Sequence, residues 1–205
     1  MELLKIENLS IKNKEKILFN NFNLQINDDT KLGIYAPSGS GKSTLLNYIS
    51  DNLIKNTDLQ ILGNLQKKEN LKISYVYQDF RLLEHISVFE NVYLPLENVY
   101  KKNEAKKIAL DILNKVFLED KINQKVKKLS GGEKQRVAIA RAFSFPFDLL
   151  LLDEAFHAQD KIKKQKLLLL TKNLIKNSNK ALIMVSHNKE ELQELCDKII
   201  DESSF

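Results

Sequence analysis

The sequence predicts an α/β fold in which a mainly parallel sheet forms the core, with an N-terminal antiparallel β-subdomain and a helical subdomain inserted into that core. Three observations carry the prediction. The opening residues alternate apolar and polar over two stretches, the period of half-buried strands. Four short apolar runs then recur along the chain, as strands covered on both faces of a parallel sheet do. Between the second and third of these runs, apolar residues recur at helical spacing instead.

In chain order, "LLKIENLSI" (3–11) and "ILFNNFNLQI" (17–26) read as antiparallel strands, closed by the polar turn "NDDT" (27–30). The buried runs are "KLGIYA" (31–36), "LKISYVY" (71–77), "DLLLLD" (148–153) and "ALIMVS" (181–186). The helical subdomain is expected over about 85–145. "SVFENVYLPLENV" opens it, and "EAKKIALDILNKVF" places Ile108, Ile112, Leu113 and Val116 on one helical face. No repeat or linker interrupts the chain, so residues 1–205 read as one domain.

Composition excludes several classes. Apolar residues make up 43% and charged residues 29%, ordinary values for a soluble globular protein. No apolar run approaches the ~18 residues of a membrane span. The N-terminus "MELLKIENLS" lacks the apolar core of a secretion signal. Cys196 is the sole cysteine, which rules out a disulfide framework and a cysteine metal site. A cytoplasmic location is expected. The net charge of +5 comes from 29 lysines and three arginines, Arg81, Arg136 and Arg141, beside 20 asparagines. Lysine runs such as "KKNEAKK" and "KIKKQK" carry neither an arginine cluster nor interleaved aromatics, so they read as solvated surface. No nucleic-acid partner is expected. His85 in "LLEHIS" reads as a surface loop residue, and Cys196 as core packing on an apolar helix face.

Each buried run leads into a polar group of catalytic type, where open parallel sheets bind ligands. The first leads into "PSGSGKST" (37–44), the second into Gln78, the third into Asp153 and Glu154, the fourth into His187. "APSGSGKST" is one glycine short of the phosphate-binding pattern G-x-x-x-x-G-K-[ST], with Ala36 in the first glycine's place. Such a loop works because successive backbone N–H groups converge on the phosphates and continue into a helix N-terminus. The amides of Gly39 to Thr44 supply that cradle, and Ala36 lies upstream of it at the strand exit. Lys42 is placed to reach the β- and γ-phosphates, and the Ser43 hydroxyl to ligate Mg²⁺. The core is thus expected to be a P-loop NTPase core.

The segment "LSGGEKQRVAIARA" (129–142) adds a second anion site. Ser130 is a good N-cap, Gly131 and Gly132 leave room for a phosphate near the backbone, and a helix is expected to begin near Glu133. This string resembles the signature motif of ATP-binding cassette (ABC) transporter ATPases, and the resemblance extends over residues 2–201. It implies an ATP-hydrolysing subunit with ATP and Mg²⁺ as cofactors. "PSGSGKST" looks like the Walker A loop, in which Pro37, Ser38, Gly39, Ser40, Gly41, Lys42, Ser43 and Thr44 bind nucleotide. "YQDFRLL" places Gln78 as the Q-loop glutamine, a catalytic residue and metal ligand. "LLLLDE" looks like Walker B, with Asp153 on Mg²⁺ through water and Glu154 as general base. Asp160 matches the D-loop aspartate at the nucleotide site, and His187 in "MVSHNKEE" the switch histidine. Two such subunits are expected to form a head-to-tail homodimer on ATP, each nucleotide clamped by the partner copy's Ser130, Gly131 and Gly132. That dimer drives integral membrane permease subunits, so the chain is expected on the inner face of the cell membrane, peripheral to it.

The sequence departs from the family at several points. No aromatic stands near Asn13, in "IKNKEKI", to stack on the adenine. Asp51 and Asp58 replace expected glycines, and Ala155 replaces the proline after Walker B. The D-loop reads "FHAQD", with His157 and Gln159 as unusual residues. His157 reads equally as a solvated position or as one touching the partner's site. "QDFRLLEHISVFENVYLPL" and "RAFSFPFDLLLLDEAF" look most like ATPases of the nitrate, sulfonate and taurine importers. "ENVYLPL" is also similar to the lipoprotein-release and macrolide-export group. A bacterial importer leads, with an exporter-type ATPase, a degenerate ATP-binding scaffold and a soluble ABC ATPase as alternatives. The 88 residues from Lys42 to Ser130 leave no room for the long coiled coil of the DNA-repair members.

Overall fold

The computed structural model describes residues 1–53, 58–176 and 180–201. Along the chain run β1 (Glu2–Asn13), β2 (Lys16–Asn27), β3 (Lys31–Tyr35), α1 (Lys42–Ile49), β4 (Leu59–Lys67) and β5 (Ile73–Val76). There follow α2 (Val88–Tyr93), α3 (Lys102–Lys115), α4 (Gly131–Ser144), β6 (Leu149–Asp153), α5 (Lys161–Lys176), β7 (Ala181–Val185), α6 (Lys189–Leu195) and β8 (Lys198–Asp201). The chain gathers into two compact units. One comprises Met1–Ile73, Phe147–Asp153 and Leu174–Phe205, the other Ser74–Pro146 and Glu154–Asn173.

The first unit holds two sheets. In the antiparallel one β1 is central, in the order β2-β1-β4. Its register pairs apolar with apolar, Ile6 with Leu24 and Ile11 with Phe19 on one side, Ile6 with Leu65 and Ile11 with Ile61 on the other. Ile6, Leu9, Ile11 and Phe19 are fully buried. Irregularities in the register fall near Asn8 and Asn21, both left-handed (φ 53° and 56°), a conformation that asparagine tolerates better than most residues. Two strands were not expected from the sequence. β4 is an edge strand interrupted by Gly63, with Leu62 largely exposed, and β8 is a four-residue edge strand.

The other sheet of this unit has β6-β7-β3-β8 as consecutive parallel strands. Leu149–Asp153 and Ala181–Val185 are buried at every position. Strands covered on both faces have no polar side to show, so they read as unbroken apolar runs. Ile183 stands between Leu32 and Leu151 in register. Truncating such a side chain to Ala costs about 2–5 kcal/mol.

The second unit is helical over most of its length. α2, α3 and α4 pack on one another, burying Val88, Val92, Ala109, Leu113 and Ile139 completely. The buried stripe of α3 is Ala105, Ala109, Ile112 and Leu113, whereas Ile108 is only half-buried. The helical face is thus turned slightly from the one expected, because small alanines permit closer approach than Ile108 would. Ser87 starts α2 with a capping box: its hydroxyl accepts from the Glu90 N–H, and Glu90 accepts from the Ser87 N–H at 2.7 Å. Cys196 is not on a helix face but just past the end of α6, half-buried, and burial pushes its thiol up to about 12.

Candidate functional site

The loop 36–41 joins β3 to α1 within the first unit. Ala36 is 2% exposed and lies outside the left-handed region, so its methyl group brings no backbone strain. Gly39 and Gly41 are the positions that need glycine, at φ 78° and 96°. A Cβ on Gly41 would also stand 3.0 Å from Leu18 and Phe19. Lys42, buried, turns its ammonium back onto the carbonyls of Ala36 and Pro37, at 2.6 Å each. The cradle fits an anionic ligand. Its amides open α1, and the Ser40 hydroxyl is buried with no hydrogen-bond partner of its own. Beside the loop lies a cavity of about 300 Å³ lined by Lys16 to Asn20 of β2 together with Pro37, Ser38 and Ser40. Lys16 closes one side by donating to the Gly39 carbonyl at 2.6 Å. Asn13 does not line this cavity. It ends β1, paired with Lys16 across a two-residue turn.

Asp153, 3% exposed, is the last residue of β6, and His187 is exposed on the turn between β7 and α6. That turn is braced from below. The buried Ser186 hydroxyl donates to Glu191 at 2.9 Å and accepts from the Asn188 N–H at 3.0 Å. The Asn188 side chain in turn caps α6, accepting from Glu190 and Glu191. Nothing in the sequence singled out Ser186, Asn188 or Glu191, because a buried hydroxyl–carboxylate pair has no spacing signature of its own.

The second unit carries Gln78, the signature segment, Glu154 and Asp160. Gln78 is exposed in the turn after β5. Phe80 and Arg81, two and three residues on, are both left-handed (φ 61° and 44°). Arg141 from α4 holds this turn, donating to the Phe80 carbonyl at 2.9 Å and the Arg81 carbonyl at 2.6 Å. His85 is exposed in a turn, as expected.

Ser130 is the N-cap of α4, and the helix begins at Gly131, two residues earlier than expected. Glu133 is the third residue of the helix and completes a capping box, accepting from the Ser130 N–H at 2.8 Å. That backbone bond is the main reason its carboxyl is held below the usual range. The two glycines differ. A Cβ on Gly131 would meet open space, as a ligand approach requires, whereas one on Gly132 would lie 2.7 Å from the Ala158 carbonyl oxygen. Gly132 therefore has a packing reason of its own for lacking a side chain, beside the phosphate role expected of both glycines.

The residues 154–160 are tied to α4 by side-chain amides. Gln159 donates to the Gly132 carbonyl at 2.9 Å and to Gln135 Oε1 at 2.8 Å, and accepts from Arg136 at 3.2 Å. His157 is exposed but not simply solvated: its Nδ1 lies 2.6 Å from the Glu154 carbonyl. Glu154 itself is left-handed (φ 50°). Asp160, exposed, accepts from the Lys163 N–H at 3.0 Å, and chiefly that bond lowers its pKa.

Comparison with known proteins follows the same positions. The ABC transporter family matches residues 19–157. The methionine import ATP-binding protein MetN of Clostridioides difficile (strain 630) is 35% identical over 206 residues, covering 93% of this chain and 64% of that protein. MetN of Helicobacter pylori (strain HPAG1) is 37% identical over 210 residues, with coverages of 93% and 63%. The chain thus spans somewhat less than two thirds of the length of these curated relatives. Among solved structures, the ATP-binding cassette MJ0796 in a dimeric post-hydrolysis state bound to ADP and Pi gives a TM-score of 0.84 at 32% identity, covering 97% of this chain and 94% of that one. A further dimeric structure of MJ0796, described as a bacterial ABC transporter cassette, gives 0.85 at 31% identity. The family match takes in the phosphate loop, Gln78, the signature helix and the Asp153–Glu154 pair, and the chain belongs to the ABC transporter family.

Proposed function

We propose that the chain is the ATP-binding and ATP-hydrolysing subunit of a bacterial ABC importer, driving a separate membrane permease. The observation that carries this reading is the phosphate loop: left-handed only at Gly39 and Gly41, where glycine adopts that conformation freely, unstrained at Ala36, and holding Lys42 on its own carbonyls. On nucleotide binding Lys42 exchanges those two carbonyls for phosphate oxygens, a short swing that trades neutral acceptors for charged ones. The Gly39 to Thr44 amides bind the phosphates from the helix N-terminus. Glu154 takes the proton of the attacking water, and His187, on its braced turn, contacts the γ-phosphate. Ser43, Asp153 and Gln78 are the residues for Mg²⁺, which when bound neutralises charge on the phosphates. Asp160, Ser130, Gly131 and Gly132 act at the nucleotide of a second copy of the chain. Import is favoured by the relatives' names, and the subunit is held at the inner face of the membrane by its permease.

The test is ATP turnover. The wild-type chain is expected to hydrolyse ATP, with Lys42→Ala and Glu154→Gln both reducing the rate by about 10²–10⁴-fold. Wild-type turnover no higher than that of Glu154→Gln would overturn the hydrolytic reading and leave an ATP-binding scaffold.

A further inference from the structure

We propose that His157 is a positioning residue that fixes Glu154 through its backbone carbonyl. This rests on the reading of Glu154 as the general base. A glutamate at φ 50° is strained and persists only where its surroundings over-determine it. Here they do. The Glu154 carbonyl oxygen is approached by His157 Nδ1 at 2.6 Å, the His157 backbone N–H at 3.3 Å and Gln135 Nε2 at 3.3 Å.

The proton positions follow from the geometry. A carbonyl oxygen can only accept, so at 2.6 Å Nδ1 must carry the hydrogen. The Gln135 amide is oriented independently, because its Oε1 accepts from the Ala158 N–H at 3.2 Å and from Gln159 Nε2 at 2.8 Å. Its Nε2 is thereby turned toward the Glu154 carbonyl. Nε2 also lies 3.0 Å from His157 Nδ1, so the two donors share one acceptor rather than bonding to each other. The imidazole is held from its face as well, nearly parallel to Phe80 (6.2 Å between centroids, 9°). Phe80 belongs to the left-handed pair that Arg141 clamps, two residues after Gln78. His157 therefore joins the Gln78 turn to the peptide that aims Glu154, and the unusual D-loop is a brace for the base.

Two substitutions separate the donor from the ring. His157→Phe keeps a ring for Phe80 and removes the donor, whereas His157→Asn supplies a side-chain N–H near the Nδ1 position and removes the ring. Expected for His157→Phe is a fall of about tenfold in kcat, the size of one hydrogen bond, with KM for ATP within about twofold. His157→Asn should recover most of the rate. A wild-type kcat in His157→Phe, or equal losses in both variants, would overturn the proposal. A readout independent of turnover is the ¹⁵N spectrum of the three histidine rings above their titration, with His157 assigned by its loss in His157→Asn. The Nδ1–H tautomer is expected, and an Nε2–H tautomer would overturn the proposal directly. Equal turnover of wild type and Glu154→Gln would instead remove the base on which this role depends, and would be recognised without any change at residue 157.

Discussion

Single residues are expected to decide nucleotide affinity. Ala36 is tolerated because the strand-exit peptide is not left-handed, so Ala36→Gly should change ATP affinity little. Lys42→Ala should weaken or abolish binding. Equilibrium titration with a fluorescent nucleotide distinguishes these, and a large gain from Ala36→Gly would show that the loop is impaired. The missing aromatic at Asn13 is a separate matter. Of the residues lining the cavity beside the loop, the one aromatic, Phe19, is only 1% exposed, whereas Ile17 is 63% exposed. Stacking on a base is worth about 1–3 kcal/mol. GTP is therefore expected to compete with ATP within about tenfold, and Asn13→Tyr to tighten ATP binding by about fivefold or more. No change in Asn13→Tyr would mean that Ile17 already covers the base.

At the scale of elements, helix starts matter most, since α2 and α4 both open with the same Ser-to-Glu capping box. Ser87→Ala at α2 leaves the nucleotide residues untouched. It should lower stability by about 1 kcal/mol and the melting temperature by about 2–4 °C, with nucleotide affinity unchanged. The box also has a pH signature. The Ser87 hydroxyl, and then its backbone N–H, lower the Glu90 pKa. A depressed carboxylate stabilises the fold above its unfolded pKa of about 4.3, and that contribution disappears as pH falls through the folded value. Thermal melts of wild type should therefore lose stability on acidification more steeply than those of Ser87→Ala. Parallel acid limbs would count against the box.

On the scale of the whole molecule, the expected working form is a pair of chains. Glu154→Gln keeps the shape of the side chain while removing the proposed base, so it should trap an ATP-bound homodimer. Light scattering is expected to show a monomer without nucleotide and a dimer for Glu154→Gln with ATP. Ser130→Arg added to it should abolish the dimer, because a long side chain would fill the open space beside Gly131. A dimer indifferent to Ser130→Arg would mean that the signature segment does not close on nucleotide, and the motor reading would fall.

The sequence alone determined the α/β class, the antiparallel entry, the buried runs and the ordering of motifs at their ends. These are local properties: unbroken apolar runs, capping serines and glycine-bearing loops each have a fixed period or spacing. The edge strands β4 and β8 escaped because a half-exposed edge with Gly63 in it, or four residues of "KIID", shows no such period. Only the tertiary structure assigned different reasons to Gly131 and Gly132, one facing open space and the other Ala158. It alone also showed His157 and Gln135 converging on one carbonyl from positions 22 residues apart. Such contacts depend on which backbones approach within hydrogen-bonding distance, and that is set by how helices pack, not by any pattern along the chain.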